Sequence, residues 1–361
     1  MFYAASLLLI ILGVLVKNSK VLLYVSFLFL LLLFGGNTDN PDRLGYLNNY
    51  ISLSKGKPLY DFEFGFQLLN KLGLSLGLSY NILQFTIATI GLLLIVNTIK
   101  YYRANISFVF ILYLIYPFFI DVVQIRNFLA MSFIIYGSRF IISTQKNYLK
   151  YTIFVLLASA FHVTSLFYLF GLLTALKDNK KTMYTIIIAS ILSVFFIPII
   201  LQILNGFIPS EKITAYFFTE TSLFTKCMVL VYFLTSILLV LISRNIILNS
   251  NNENICDQNN KLSKTLINVI DPNAILKLNI ICLLTLYFVM NNLDFIRLYR
   301  NIFVINYLLF AVALNSITKN YKYYILLFSI LLFVSASFIL LVLYVPTMNI
   351  VKQVLEDNFF F

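Results

Sequence analysis

Uncharged apolar runs govern what this chain can become. From Val21 to Phe34 the sequence VLLYVSFLFLLLLF carries no charge. A helix points side chains to every side of its axis, so this stretch is apolar all the way round. Water is a poor solvent for such a helix, whereas a bilayer accepts it, and about twenty residues of this kind span the hydrocarbon core. Similar runs recur near 2–16, 21–35, 80–99, 106–120, 127–143, 151–176, 183–204, 223–243, 274–290, 301–317 and 323–345. A transmembrane barrel is excluded, because its strands alternate apolar and polar positions over segments of about 10 residues. Charge is scarce to match: 11% of the 361 residues are Asp, Glu, Lys or Arg and 61% are hydrophobic, against about a quarter charged in a soluble domain. The expected fold is all-α, a polytopic transmembrane bundle of about 11–12 segments forming one integral membrane domain over 1–361.

Two polar insertions interrupt the runs. In the first, 36–79, Leu44, Leu47 and Ile51, then Phe62, Phe66 and Leu69, recur at helical spacing on either side of Pro58. The spacing predicts two short interfacial helices. Tyr46 and Tyr50 share a face there, suited to anchoring at the headgroup level or to stacking on a sugar ring. The second insertion, 244–273, contains the Asn-rich stretch 249–260 and reads as a polar cytoplasmic loop.

The formal charge of +12 would suggest nucleic acid in a soluble protein; in a membrane protein it reports topology. The segment 151–176 has 26 residues, about 39 Å as one helix against a core of about 30 Å. If it doubles back near His162, between Ala160 and Thr164, and the 36–79 loop lies outside, sixteen of the 26 Lys and Arg residues fall on the inner face. A single crossing puts only twelve there. The doubled-back arrangement obeys the positive-inside rule and places both termini outside. Cys227, Cys256 and Cys282 are odd in number and widely spaced, so neither a disulfide framework nor a metal site is expected. The N-terminus lacks a basic flank before its apolar run and reads as a retained first helix.

Polar groups at the edges of apolar runs need partners, and in a membrane they are candidates for function. Four clusters qualify. Asn37, Asp39, Asp42 and Arg43 follow the second run, with Asp61 and Glu63 further on in DFEFGF; one carboxylate serves as a base or hydroxyl binder, or Asp39 and Asp42 hold a divalent cation. YPFFIDVVQIRNFLA holds Asp121, Gln124, Arg126 and Asn127, with Arg126 either paired to Asp121 or open to a phosphate. The single histidine, His162, lies in ASAFHVTSLF; without a second His a zinc site is not expected, while proton transfer needs only one. NNLDFIRLYRN carries Asp294, Arg297 and Arg300, an arginine pair suited to a diphosphate or a surface pair with Asp294. In the doubled-back topology all four clusters meet on the outer face. Arginines for phosphate, a carboxylate or His for a hydroxyl proton, and Asn, Gln and Tyr for sugar hydroxyls suit chemistry on an anionic lipid-linked substrate.

At these residues the sequence resembles the EpsG family, the Wzy-like repeat-unit polymerases of bacterial exopolysaccharide and capsule synthesis. The features that carry the resemblance are NTDNPDRLGYLNNY with DFEFGF, QIRNFLA after a Tyr-Pro-Phe exit, AFHVTSL and the later IRLYRN. The resemblance implies a multi-pass protein of the bacterial cytoplasmic membrane with its active site facing outside. It implies glycosyl transfer without a cofactor: a hydroxyl of one undecaprenyl-diphosphate-linked oligosaccharide attacks the anomeric carbon of a growing chain, and undecaprenyl diphosphate leaves. Carried onto this chain, His162, Glu63 and Arg126 become catalytic candidates. Arg297, Arg300, Gln124, Asn127, Asp39 and Tyr46 become substrate-binding ones. Membrane lipid, a chain-length regulator and a flippase are the expected partners, and no nucleic acid is. Two other classes fit the composition: a polyprenyl-phosphate-sugar-dependent transferase needing Asp39 and Asp42, and a lipid-linked oligosaccharide flippase or transporter, for which a midplane polar path and internal repeats are expected.

Overall fold

The computed structural model describes residues 2–16, 19–56, 63–102, 104–176, 181, 183–192, 221–253, 270–343 and 349–360. Pro58 and Asp61, the 193–204 end of the seventh apolar run, residues 254–269 of the second insertion, and Cys256 lie outside these. The helices are α1 (Phe2–Leu15), α2 (Lys20–Gly36), α3 (Arg43–Ser54), α4 (Phe64–Ser75), α5 (Tyr80–Tyr101), α6 (Ile106–Ile115), α7 (Phe118–Val123), α8 (Ile125–Ile142) and α9 (Tyr148–Phe161). A 3₁₀ helix, Val163–Ala175, follows, then α10 (Met183–Leu192). The remainder are α11 (Leu223–Glu253), α12 (Pro272–Ile281), α13 (Leu286–Asn291), α14 (Ile296–Arg300), α15 (Phe303–Asn315), α16 (Tyr321–Phe338) and α17 (Ile350–Glu356).

Length and apolarity suit five stretches to crossing a membrane: Tyr80–Tyr101, Ile125–Ile142, Leu223–Ser250, Pro272–Asn291 and Tyr321–Leu343. Leu293–Arg300 and Phe303–Asn315 pass the same test together, bent by 44°. Shorter apolar helices fill the positions of the remaining runs. The chain is a multi-pass, all-helical membrane protein. At its centre α15 is buried along its whole length from Phe303 to Leu314. Peripheral helices instead expose apolar side chains such as Leu7, Val21, Leu234 and Phe328, the surface that acyl chains cover.

The 151–176 segment is broken. α9 ends at Phe161, His162 takes an extended conformation (φ −153, ψ 108), and the 3₁₀ helix runs back along α9. Tyr151 donates to the Tyr168 carbonyl at 2.6 Å, and the Tyr151 hydroxyl sits where a side chain at Gly171 would go. The reversal therefore falls within the expected 160–164 window. Both described ends of the chain meet on one face. Tyr3 donates to Glu356 at 3.2 Å, and the Thr38 amide to the Asp357 carbonyl at 2.8 Å.

α3 and α4 are the two short helices foreseen in the first insertion. Leu44 and Ile51 are exposed, as at a headgroup layer. Tyr46 and Tyr50 are not: both are buried, Tyr46 against Phe66 and Tyr50 against Tyr80, each with centroids 5.8 Å apart. The pair faces the bundle and does not anchor at the interface. Arg43 explains why: its guanidinium reaches down to Asn81 and Gln84 (both 2.6 Å) and to the Asn37 carbonyl (2.9 Å), drawing α3 onto α5 with the tyrosine face inward.

Candidate active site

Glu63 is the N-cap residue of α4 but does not cap it. Its carboxylate reaches to two other elements. Oε2 lies 2.6 Å from Arg126 Nη1, at the start of α8, and Oε1 lies 3.0 Å from His162 Nδ1 and accepts the Val163 amide at 3.3 Å. An extended residue at the α9 reversal is what turns the imidazole toward α4. The approach is close because position 65 is glycine: a Cβ there would lie 2.7 Å from the Ala160 carbonyl oxygen. Arg126 also lies over the Tyr46 ring, 5.7 Å from its centroid, so a residue from each of α3, α4, α8 and the α9 turn meets at one point.

Electrostatics set the protonation states of Glu63 and His162, which lie outside the spanning segments. Burial alone would raise the Glu63 pKa; the His162 hydrogen bond and the Arg126 charge outweigh it and bring it down to about 2. Burial lowers that of His162 below 6.5, helped by Arg297 and Arg126 and opposed by Glu63. An ionised carboxylate only accepts, so the neutral ring must carry its proton on Nδ1. Nε2 then presents a lone pair, buried and with no hydrogen-bond partner among the described residues. Asp42 lies within electrostatic range of Arg126, Arg297 and Asp294.

The other candidates separate from this centre. Helical spacing suggests Arg297 and Arg300 as one basic face, but only Arg297 is near His162. Arg300 is 2% exposed and turned inward, 3.4 Å from Asp121 Oδ1 and 2.7 Å from Gln124 Oε1. Tyr113 donates to the other Asp121 oxygen at 3.0 Å. Asn127 and Asn301 exchange amide hydrogen bonds at 3.1 and 3.0 Å in a buried pair. Asp39 is exposed and accepts from Gln353 at 3.2 Å, and with Asp42 turned to the arginines the two carboxylates serve different partners. The sequence reading missed Asn81 and Gln84, which hold Arg43, and Asn358, whose amide donates to the Leu32 carbonyl at 2.9 Å. An amide inside an apolar run, as in NILQFTIA, is the signal that could have found Gln84.

Phe295 and Leu298, which flank Arg297 in sequence, line an apolar cavity of about 510 Å³ together with Phe167 and Phe170 of the 3₁₀ helix and Phe288.

The sequence model of the EpsG family matches residues 20–356. No curated protein and no solved structure matches the chain.

Proposed function

Because the chain belongs to the EpsG family, we propose that it is a Wzy-like polysaccharide polymerase, a membrane glycosyltransferase that joins undecaprenyl-diphosphate-linked oligosaccharide repeats on the outer face of the bacterial cytoplasmic membrane. The observation that carries the reading is His162 held through Nδ1 by Glu63 at 3.0 Å, with Nε2 unengaged among the described residues; burial favours its neutral form. A group so held is a general base.

In the proposed reaction His162 Nε2 takes the proton of the attacking hydroxyl at the non-reducing end of one repeat. The oxygen bonds to the anomeric carbon of the growing chain as that carbon's bond to the diphosphate oxygen breaks. The electron pair departs with undecaprenyl diphosphate. Negative charge grows on the leaving diphosphate, and Arg297, half-buried beside His162, is the cation assigned to it. Arg126 orients Glu63 and adds positive potential. Glu63 fixes the tautomer and steadies the imidazolium as it forms. Asp121, Gln124, Arg300, Asn127 and Asn301 hold α7, α8 and α14 together beneath the site. The apolar cavity lined by Phe295 and Leu298 suits a stretch of polyprenyl chain.

The test is a gel of lipid-linked glycans from a deletion strain complemented with wild type, His162→Ala, Glu63→Gln or Arg297→Ala. Single repeats accumulating on the outer face in the deletion and in the variants are expected. Lipid-linked repeats trapped on the inner face would instead identify a flippase, and a truncated repeat a transferase adding one sugar.

A further inference from the structure

At the far end of the α8–α9 pair lies a second polar recess that the glycosyl-transfer chemistry does not use. Its volume is about 320 Å³, and Arg139, Lys146 and Lys150 line it together with Tyr101, Phe140 and Asn147. Of the three cations only Lys146 has an acidic partner among the described residues, Asp271 at 2.8 Å. Lys150 Nζ stands 5.6 Å from the Phe140 ring. Arg139 is held by aromatic faces, 4.1 Å from Tyr136, 4.9 Å from Tyr101 and 5.2 Å from Phe140, and its one side-chain hydrogen bond is a long one to Asn97, at 3.3 Å. Its Nε is buried with no hydrogen-bond partner among the described residues. A buried guanidinium nitrogen without an acceptor is costly. Lys150 is exposed and adds positive potential at the mouth of the recess at little cost, and an anion entering beside Arg139 would offset the cost of its guanidinium.

The geometry points to a binding site for the phosphodiester head group of an anionic phospholipid, lodged between Arg139 and Lys150 in the leaflet opposite the candidate active site. The planar fork of Arg139 matches two phosphate oxygens, and Lys150 supplies a point charge at the rim. The surroundings select a lipid over a free anion. Tyr101 is 45% exposed and Leu149 72% exposed, so the rim is an aromatic and aliphatic surface of the kind that sits at the membrane interface and lines acyl chains. Basic recesses between transmembrane helices are recurrent sites for acidic head groups. The occupant would tie together the far ends of the two helices whose near ends carry Arg126 and His162.

Native mass spectrometry of the full-length protein in a zwitterionic detergent, titrated with phosphatidylglycerol, tests the assignment without reference to catalysis. Retention of the lipid should weaken about fivefold for each cation removed, in Arg139→Gln and in the rim variant Lys150→Gln, and not in Lys319→Gln, which removes a cation away from the recess. Inorganic phosphate at the lipid's concentration should leave retention unchanged, and phosphatidylcholine should not be retained. Equal phosphatidylglycerol retention by wild type and Lys150→Gln would overturn the site. Displacement by inorganic phosphate would overturn its assignment to a lipid.

Discussion

The imidazole of His162 and the carboxylate of Glu63 form a pair in which each fixes the other's charge. The sign of the pH dependence follows. The proposed mechanism needs neutral His162, and burial lowers its pKa from the usual 6.5, so polymerisation by the reconstituted protein should be lost as pH falls, with the midpoint of that acid limb below 6.5. Glu63 raises that pKa, so Glu63→Gln should carry the acid limb lower still while the plateau drops. His162→Ala should lower the rate by about 10²–10⁴-fold with normal accumulation in the membrane; an unchanged rate would remove the imidazole from the chemistry. Arg300 makes the opposite prediction. Arg300→Ala leaves Asp121 buried without its cation, a loss of about 3–5 kcal/mol that should show as a lower melting temperature in detergent. Asp121→Asn combined with Arg300→Ala should recover part of it, and strict additivity with the Asp121→Asn single variant would mean that the ion pair is not coupled.

Helix ends decide which of these groups meet, and here the sequence was only partly legible. Placement of Lys and Arg was enough to call for a reversal within 151–176, because charge records which side of the membrane a loop lies on, but with no charge between Lys150 and Lys177 it could not fix the residue. Partners across helices left no such record. Arg126 and Asp121 are five residues apart and look paired, yet the chain breaks between them: α7 ends at Val123 and Gln124 leaves helical geometry (φ −95, ψ 61). Asp121 then turns into the bundle toward Arg300 while Arg126 turns to Glu63. Spacing likewise joined Arg297 to Arg300, and burial separated them. At this scale a constraint that cannot yield by a side-chain rotation is Gly65, where an added Cβ would meet the main chain of Ala160. Gly65→Ala must push α4 away from the α9 turn and draw Glu63 off His162. A displacement near 1 Å costs about 10²-fold in rate, so the variant should accumulate normally and polymerise poorly. Wild-type activity would mean that the contact yields elsewhere.

Taken whole, the molecule presents the two described ends of the chain and the first insertion on one face, with Lys146 and Lys150 on the other. In a cysteine-free background, Tyr3→Cys, Gly56→Cys and Phe359→Cys should label together with a membrane-impermeant thiol reagent applied to intact cells, and Lys146→Cys should be protected. Labelling of Lys146→Cys alone would invert the orientation. The C-terminal residues also have structural work. Asn37 donates to the Gln353 and Asp357 carbonyls at 3.0 and 3.1 Å, and the Phe359 amide to the Gly36 carbonyl at 2.6 Å. Removing residues 349–361 should therefore leave a protein that inserts but shows fast amide exchange across 36–43 and little polymerisation. Protection equal to wild type would show that α5 alone secures the loop. Asn37 and Gln353 lie 316 residues apart, so the early loop waits for the late helix before it is fastened. During synthesis the face that carries the candidate site thus lacks this fastening until the last described helix is made, and a product released before it is expected to insert in the membrane but to polymerise poorly.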